Sequence, residues 1–158
     1  MKAKEGVVEV LNTILSADLM VINQYFVHAK MCEHWGYELL LSKVRSRSLD
    51  VMKVADALIG HILYLEKVPT VHRMPAVHLG KTVPEQLKLD LRAEQEMLTL
   101  LREGARHCTR VADFTTRHML EDWAKDTDAR VDWIESQLAS IGQMGLELYL
   151  AEQITNDR

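Results

Sequence analysis

Four stretches of the chain repeat apolar residues at intervals of three and four, and this spacing limits what the chain can fold into. At about 100° of rotation per residue, side chains at these intervals line one face of an α-helix. The stretches cover residues 7–28, 51–65, 87–105 and 120–141. We call the helices A to D. Because each has one apolar face to bury, the sequence predicts an all-α four-helix bundle.

Glycine and proline residues between the stretches predict how the helices are joined. Gly36 separates A from B. The segment between B and C carries Pro69, Pro75, Gly80 and Pro84, residue types that interrupt helices. A connection this long can cross from one end of a bundle to the other, whereas an up-down-up-down bundle uses short loops. We therefore expect a long B–C crossover.

The end of the chain and its composition limit the remaining possibilities. Residues 146–154 follow Gly142 and Gly145 and predict a short fifth helix. At 158 residues, 47% of them hydrophobic, the chain predicts a single domain, residues 1–158, with a substantial core. The balance of 19 basic and 23 acidic residues argues against nucleic-acid binding.

The cysteines and the hydropathy pattern bear on the compartment. Cys32 and Cys108 provide neither metal-ligand spacing nor a disulfide framework, which favours a reducing compartment. The N-terminus has no continuous apolar run typical of a signal peptide. No stretch approaches the roughly 20 uninterrupted apolar residues of a membrane span. We expect a cytoplasmic protein without a membrane partner.

Helices A and B each carry a second apolar stripe, rotated away from the core face. In helix A the stripe consists of Leu15, Leu19, Ile22 and Phe26. In helix B it consists of Leu49, Met52, Ile59 and Leu63. Because one bundle core cannot absorb both stripes, they predict a protein–protein interface, most simply that of a symmetric dimer.

Two carboxylates, Asp18 and Glu94, interrupt the apolar core faces of helices A and C. They lie 76 residues apart, and the same shift relates two further pairs of positions: Val51 with Thr127, and Val54 with Arg130. Carboxylates are almost never fully buried without a partner. We therefore expect a buried ion pair in preference to an intact metal site.

Four segments resemble bacterioferritins, and the match runs nearly from end to end. They are DLMVINQYFVHAKMCEHWG (18–36), SLDVMKVAD (48–56), VDWIESQL (131–138) and IGQMGLELYLAEQI (141–154). The resemblance implies a ferritin-like bundle that assembles into a hollow shell of twenty-four subunits and stores ferric iron. It also implies a b-type haem at each twofold interface, held by one methionine from each subunit.

The methionine that matches this haem ligand is Met52. From spacing alone, Met52 would be a polarizable side chain that fills a gap at an interface. The resemblance instead implies haem ligation, with the pocket formed by Leu19, Ile22, Asn23, Phe26, Leu49 and Ile59. Two thioether ligands leave the haem iron six-coordinate, which suits electron transfer.

The di-iron ligands of the family carry over poorly. Such a centre takes one Glu from each of two helices and a Glu-x-x-His motif from each of the other two. Asp18 and Glu94 match the single glutamates, whereas both motifs are replaced, by Val51 with Val54 and by Thr127 with Arg130. The resemblance also implies that Arg130 is the cation nearest to Glu94, and the expected ion pair between them could extend to Asp18 through water. We expect no di-iron centre, and little or no Fe(II) oxidation by this chain alone.

Other polar positions have less specific interpretations. Tyr25 and His28 share the core face of helix A and are expected to be hydrogen-bonded core residues. His72 and His78 are expected to be exposed in the crossover. Three residues fall where the resembled shells have pores between subunits, or alternatively on a solvated surface: His34, Glu66 and Asp132.

Together these expectations describe a haem-binding bacterioferritin subunit that lacks ferroxidase activity. It would co-assemble with a homologous ferroxidase-active subunit, and a redox partner would deliver electrons for iron release. Two alternatives stay open. One is a slow ferroxidase that uses Asp18 and Glu94, and the other is an iron-free structural shell subunit.

Overall fold

A computed structural model describes residues 1–154, so residues 155–158 of the expected domain lie outside the described part. Its helices are α1 (Val7–Trp35), α2 (Glu38–Tyr64), α3 (Val83–Arg110), α4 (Phe114–Met144) and α5 (Leu146–Glu152). Helix α1 packs on α2 and α3, and α3 packs on α4. The expected four-helix bundle, with a long crossover between α2 and α3 and a short fifth helix, is confirmed.

The helix boundaries follow from local residue chemistry. Gly36 ends α1 with a left-handed φ of 84°, a conformation that glycine adopts without strain. Thr82 caps α3 through its side-chain oxygen, and Asp113 caps α4 in the same way. One boundary differs from expectation: α4 continues through Gly142 and ends only before Gly145. A single glycine costs an exposed helix only about 1 kcal/mol, which its neighbours can offset.

The core confirms most of the predicted stripes and corrects one residue. Leu15 was placed on the second stripe of helix A, yet it is fully buried. The reason is that α1 lies between α2 and α3, so its buried arc is wider than one apolar stripe. Further along the same two stripes, Phe26, Leu49 and Leu63 are 57%, 50% and 55% exposed. The unpartnered apolar surface therefore begins beyond Leu15.

Helix α1 is the one helix among residues 1–154 with the length and apolar content of a membrane span. Its most apolar window has a mean hydropathy of 1.3, and 44% of that window is buried in the bundle. The core helix of a globular protein has the same properties. Leu11, Ile14 and Leu15 pack into the main hydrophobic cluster, so burial accounts for part of the apolar character of α1.

A buried polar network attaches the crossover to the bundle. The backbone N–H of Gly80 donates to His28 Nε2 (3.0 Å), so the other ring nitrogen, Nδ1, carries the proton and donates to Asp90 Oδ1 (2.9 Å). Gln24 donates to the same carboxylate oxygen (2.9 Å) and accepts from the backbone N–H of His78 (3.3 Å). This network confirms His28 as a hydrogen-bonded core residue.

Replacing His28 by alanine is expected to loosen the crossover. The change removes the acceptor for Gly80 and a donor to a buried carboxylate, which should destabilise the protein by about 2–3 kcal/mol. Hydrogen–deuterium exchange should show faster exchange at residues 76–82. His78→Ala is the matched control, because His78 is exposed and is attached through its backbone. Equal exchange in both variants would contradict this role of His28.

Candidate functional site

The centre of the bundle holds an ion pair between α3 and α4. Arg130 Nε donates to Glu94 Oε2 at 2.8 Å, and Arg130 Nη2 donates to Thr127 Oγ1 at 3.1 Å. The side chains of Arg130 and Glu94 are 14% and 1% exposed. The other carboxylate oxygen, Glu94 Oε1, accepts a hydrogen bond from the Tyr25 hydroxyl at 3.0 Å. The expected pairing of Arg130 with Glu94 is therefore present, and both carboxylate oxygens are occupied.

The Tyr25 hydroxyl is held in its donating form. Burial, and then the negative charge of Glu94, raise the pKa of the Tyr25 phenol well above its ordinary value. The phenol therefore stays protonated at neutral pH and can donate only one hydrogen bond. Because Glu94 receives that bond, Tyr25 is a hydrogen-bonded core residue, as expected.

Asp18 is buried beside this pair without being part of it. It is 3% exposed, and its Oδ2 has no hydrogen-bond partner among the described residues. Burial raises the pKa of Asp18 well above its ordinary value, Glu94 raises it further, and Arg130 opposes both. The arrangement therefore favours the neutral carboxylic acid at Asp18, because of the two carboxyl groups only Glu94 accepts a hydrogen bond from Arg130.

Substituting Asp18 by asparagine should stabilise the protein at pH 7 by up to about 3 kcal/mol, since it removes a buried carboxyl group that resists ionisation. The folded-state pKa of Asp18 is raised, so the native protein should lose stability as pH rises from the unfolded-state pKa to the folded one. The advantage of Asp18→Asn should therefore vanish below about pH 4. Urea unfolding of both proteins from pH 4 to pH 8 measures this difference in stability. A constant difference between the two proteins over that range would contradict this assignment.

The donor set at the bundle centre does not fit two iron ions. Val51 is buried, and neither it nor Val54 has an atom that can bind metal. The Thr127 hydroxyl donates to the backbone oxygen of Trp123 at 2.8 Å and accepts from Arg130. Among residues 1–154, no group of three His, Cys, Asp or Glu side chains is placed to hold a metal ion. A guanidinium is also a poor neighbour for iron, because it stays protonated and repels cations.

Sequence reasoning missed a second buried arginine, Arg47 on α2. It is 7% exposed, and its guanidinium carbon lies 4.6 Å from the centroid of the Trp133 ring. Arg47 lies in the wall of an open cleft of about 540 Å³ between α2 and α4. The sequence did contain an indication that Arg47 is buried. Position 47 is one helical turn before Val51 and extends the core stripe of helix B towards the N-terminus.

The candidate haem surface lies on α1 and α2. Met52 is half-buried, as are Leu19, Ile22 and Ile59, whereas Phe26 and Leu49 are exposed. Asn23 donates to the backbone oxygen of Leu19 (2.7 Å) and contacts Met74 Sδ in the crossover (3.5 Å). A thioether among apolar side chains at an uncovered surface fits the ligand and the apolar walls that a b-type haem needs. Bound there, such a haem would supply electron transfer.

The predicted pore residues lie in separate elements. His34 is on α1, Glu66 follows α2, and Asp132 is on α4, and all three are exposed. Glu66 lies 3.6 Å from the N-terminal ammonium group. His72 is exposed, as expected for the crossover. The pore positions stay predictions, because they concern contacts between subunits.

The fold and the position of Asp18 and Glu94 define the chain as a ferritin-like four-helix bundle, and comparisons with known proteins refine this class. The family model described as a ferritin-like domain matches residues 8–144. Bacterioferritin from Mycobacterium leprae is 37% identical over 155 residues, with 98% of each chain covered. Bacterial ferritin from Pseudomonas aeruginosa is also 37% identical, with 98% of this chain and 100% of that protein covered. The chain belongs to the ferritin-like family, and within it to the bacterioferritins.

Proposed function

We propose that this chain is a haem-binding, ferroxidase-deficient subunit of a cytoplasmic bacterioferritin. Membership of the family supports iron storage and self-association into a multi-subunit shell, expected to hold twenty-four subunits. The stored ferric iron is the cargo of that shell. Within it, this subunit provides part of the wall and half of a haem site.

One observation carries the ferroxidase-deficient part of the proposal. Both oxygens of Glu94 accept hydrogen bonds, one from Arg130 and one from Tyr25. The charge of this carboxylate is therefore balanced by Arg130 within the protein. The Arg130 guanidinium meets the carboxylate at the distance of a charge-assisted hydrogen bond. A metal ion would have to displace this cation, and with Val51 and Val54 beside it would gain few ligands in return.

The haem half of the proposal is supported by the uncovered apolar surface around Met52. Two copies related by a twofold axis would bring two methionines to one haem and cover Phe26 and Leu49 at the same time. Held by these residues, the haem would supply electron transfer, and a redox partner outside the shell is expected to provide the electrons for iron release. The residues of this chain bind and orient the haem and exclude water from it.

Because this chain has a degenerate centre, we propose that Fe(II) oxidation is done by a homologous subunit that keeps both Glu-x-x-His motifs. The test is co-expression of the two chains, followed by native mass spectrometry of the purified shells. We expect mixed shells in which haem content increases with the share of this chain. Two separate populations, each containing one chain type, would overturn the co-assembly proposal.

The alternative functions predict different results for the pure chain. The Oδ2 atom of Asp18, which has no partner in residues 1–154, is the one feature that favours a slow single-iron site with Glu94. In that case Fe(II) oxidation should depend on Asp18 and disappear in Asp18→Asn. An iron-free structural subunit would bind neither haem nor iron under the same conditions.

A further inference from the structure

The cleft between α2 and α4 is lined mainly by charged side chains, and cations outnumber anions. Its lining residues are Lys43, Ser46, Arg47, Asp50, Lys53, Val54, Trp123, Asp126, Ala129 and Arg130. The six α2 members are spaced one or three residues apart, and at about 100° per residue they fall within an arc of about 120°, so one face of the helix presents them to α4. Four of the lining residues are cationic and two are carboxylates.

These cations are not equally compensated. The charge of Arg130 is balanced by Glu94 beneath the cleft. Arg47 makes no ion pair with any described residue, and its Nε and Nη1 atoms are buried without a hydrogen-bond partner. A buried guanidinium without acceptors is costly, because its N–H groups lose water and gain nothing in return. The Trp133 ring lies against the Arg47 guanidinium, but it offers no hydrogen-bond acceptor in the guanidinium plane.

The chemistry of this wall selects an anion. A guanidinium presents its N–H groups in a planar fork that matches two oxygens of a phosphate-type anion. Lys43 and Lys53 are exposed and make no ion pair among residues 1–154, so their charges are available to the cleft. The Ser46 hydroxyl on the same helix face can add a neutral donor. A metal cation would instead meet the repulsion of Arg47 and Arg130.

We propose that this cleft binds a tetrahedral oxoanion of the inorganic phosphate type, with Arg47 as the principal ligand and Lys43 and Lys53 as supporting charges. The site is separate from the haem surface on α1 and α2, and it adjoins the buried ion pair because Arg130, which pairs with Glu94, also lines the cleft. The proposal depends on neither haem binding nor co-assembly. A subunit that is proposed to lack a di-iron centre would then have an anion site in the neighbouring cleft.

Calorimetric titration of iron-free protein with inorganic phosphate, in a chloride background, tests the proposal. We expect saturable binding of about one phosphate per subunit. Arg47→Gln keeps a polar side chain but shortens it and removes the charge and the fork, and should weaken binding roughly ten- to hundredfold. The double variant Lys43→Ala with Lys53→Ala should weaken it by roughly two- to tenfold. Lys88→Ala is the matched control, because Lys88 is an exposed lysine on α3 away from the cleft.

A gain of affinity separates a binding role from structural damage. Asp50→Asn removes a carboxylate from the cleft wall and should tighten phosphate binding by about two- to fivefold. If Arg47→Gln fails to assemble, the lysine double variant and Asp50→Asn decide the question. The absence of saturable binding would overturn the proposal. So would equal weakening in Lys88→Ala and in the lysine double variant, or unchanged affinity in both the lysine double variant and Asp50→Asn.

Discussion

Purified shells of the Met52→Leu variant should contain less than about a tenth of the haem bound by the unmodified protein. Leucine keeps the apolar volume but has no sulfur to ligate iron, and an apolar surface alone does not hold the haem iron six-coordinate. Haem per subunit is measured by absorbance after expression with added haem. Met119→Leu on α4 is the matched control, because Met119 is also a half-buried methionine and lies off the candidate haem surface.

Histidine at the same position provides a second, spectroscopic readout. Met52→His offers an imidazole in place of the thioether, so haem that binds should show a changed spectrum and a lower reduction potential. Full haem content with an unchanged spectrum in Met52→Leu would show that Met52 is not the ligand. The exposed apolar surface would then need another occupant.

The second large effect is expected from Arg130→Ala. Removing the guanidinium leaves the Glu94 carboxylate, which is 1% exposed, with the Tyr25 hydroxyl as its remaining described donor. Breaking a buried ion pair by deleting one partner costs about 3–5 kcal/mol, because the other charge stays buried and uncompensated. Chemical unfolding at pH 7 measures the loss. Entry of water into the site would place the result at the lower end of this range.

The control is an exposed arginine on a neighbouring helix. Arg102 lies 3.9 Å from Asp128, and both side chains are more than half exposed. A solvent-exposed pair contributes at most about 1 kcal/mol. Arg102→Ala should therefore have little effect. A loss in Arg130→Ala no greater than in Arg102→Ala would mean that the buried pair contributes nothing beyond a surface contact. Replacing Arg130 and Glu94 together by Met and Gln should recover much of the stability, because no buried charge is then left alone.

The sequence predicted the helices well because one physical rule, the burial of a stripe with period 3.6, governs both pattern and packing. It also predicted the pairing of Arg130 with Glu94, since a carboxylate on an apolar face needs a cation nearby and the resemblance implied that Arg130 is the nearest one. Leu15 was misplaced because pattern alone does not reveal how many neighbours a helix has. Helix α1 contacts two helices and buries more than one stripe.

The polar networks were harder to foresee. Asp90 lies one turn before Glu94 on α3, yet its partners come from α1, 62 and 66 residues away in sequence. Which polar groups meet depends on the tertiary arrangement, and helical spacing on one element does not specify it. Arg47 was missed although its position extends the core stripe of helix B, because arginine side chains are mostly exposed.

Fe(II) oxidation by the pure, haem-free subunit tests the central claim most directly. Stopped-flow absorbance after mixing with oxygen and about two Fe(II) per subunit would report any di-iron activity. A variant with Asp18→Glu, Val51→Glu, Val54→His, Thr127→Glu and Arg130→His restores the family ligand set beside Glu94 and is the positive control. We expect the unmodified subunit to oxidise Fe(II) no faster than protein-free buffer, and the restored variant to show a fast phase. A fast phase in the unmodified subunit, proportional to protein concentration, would contradict the assignment of a ferroxidase-deficient subunit.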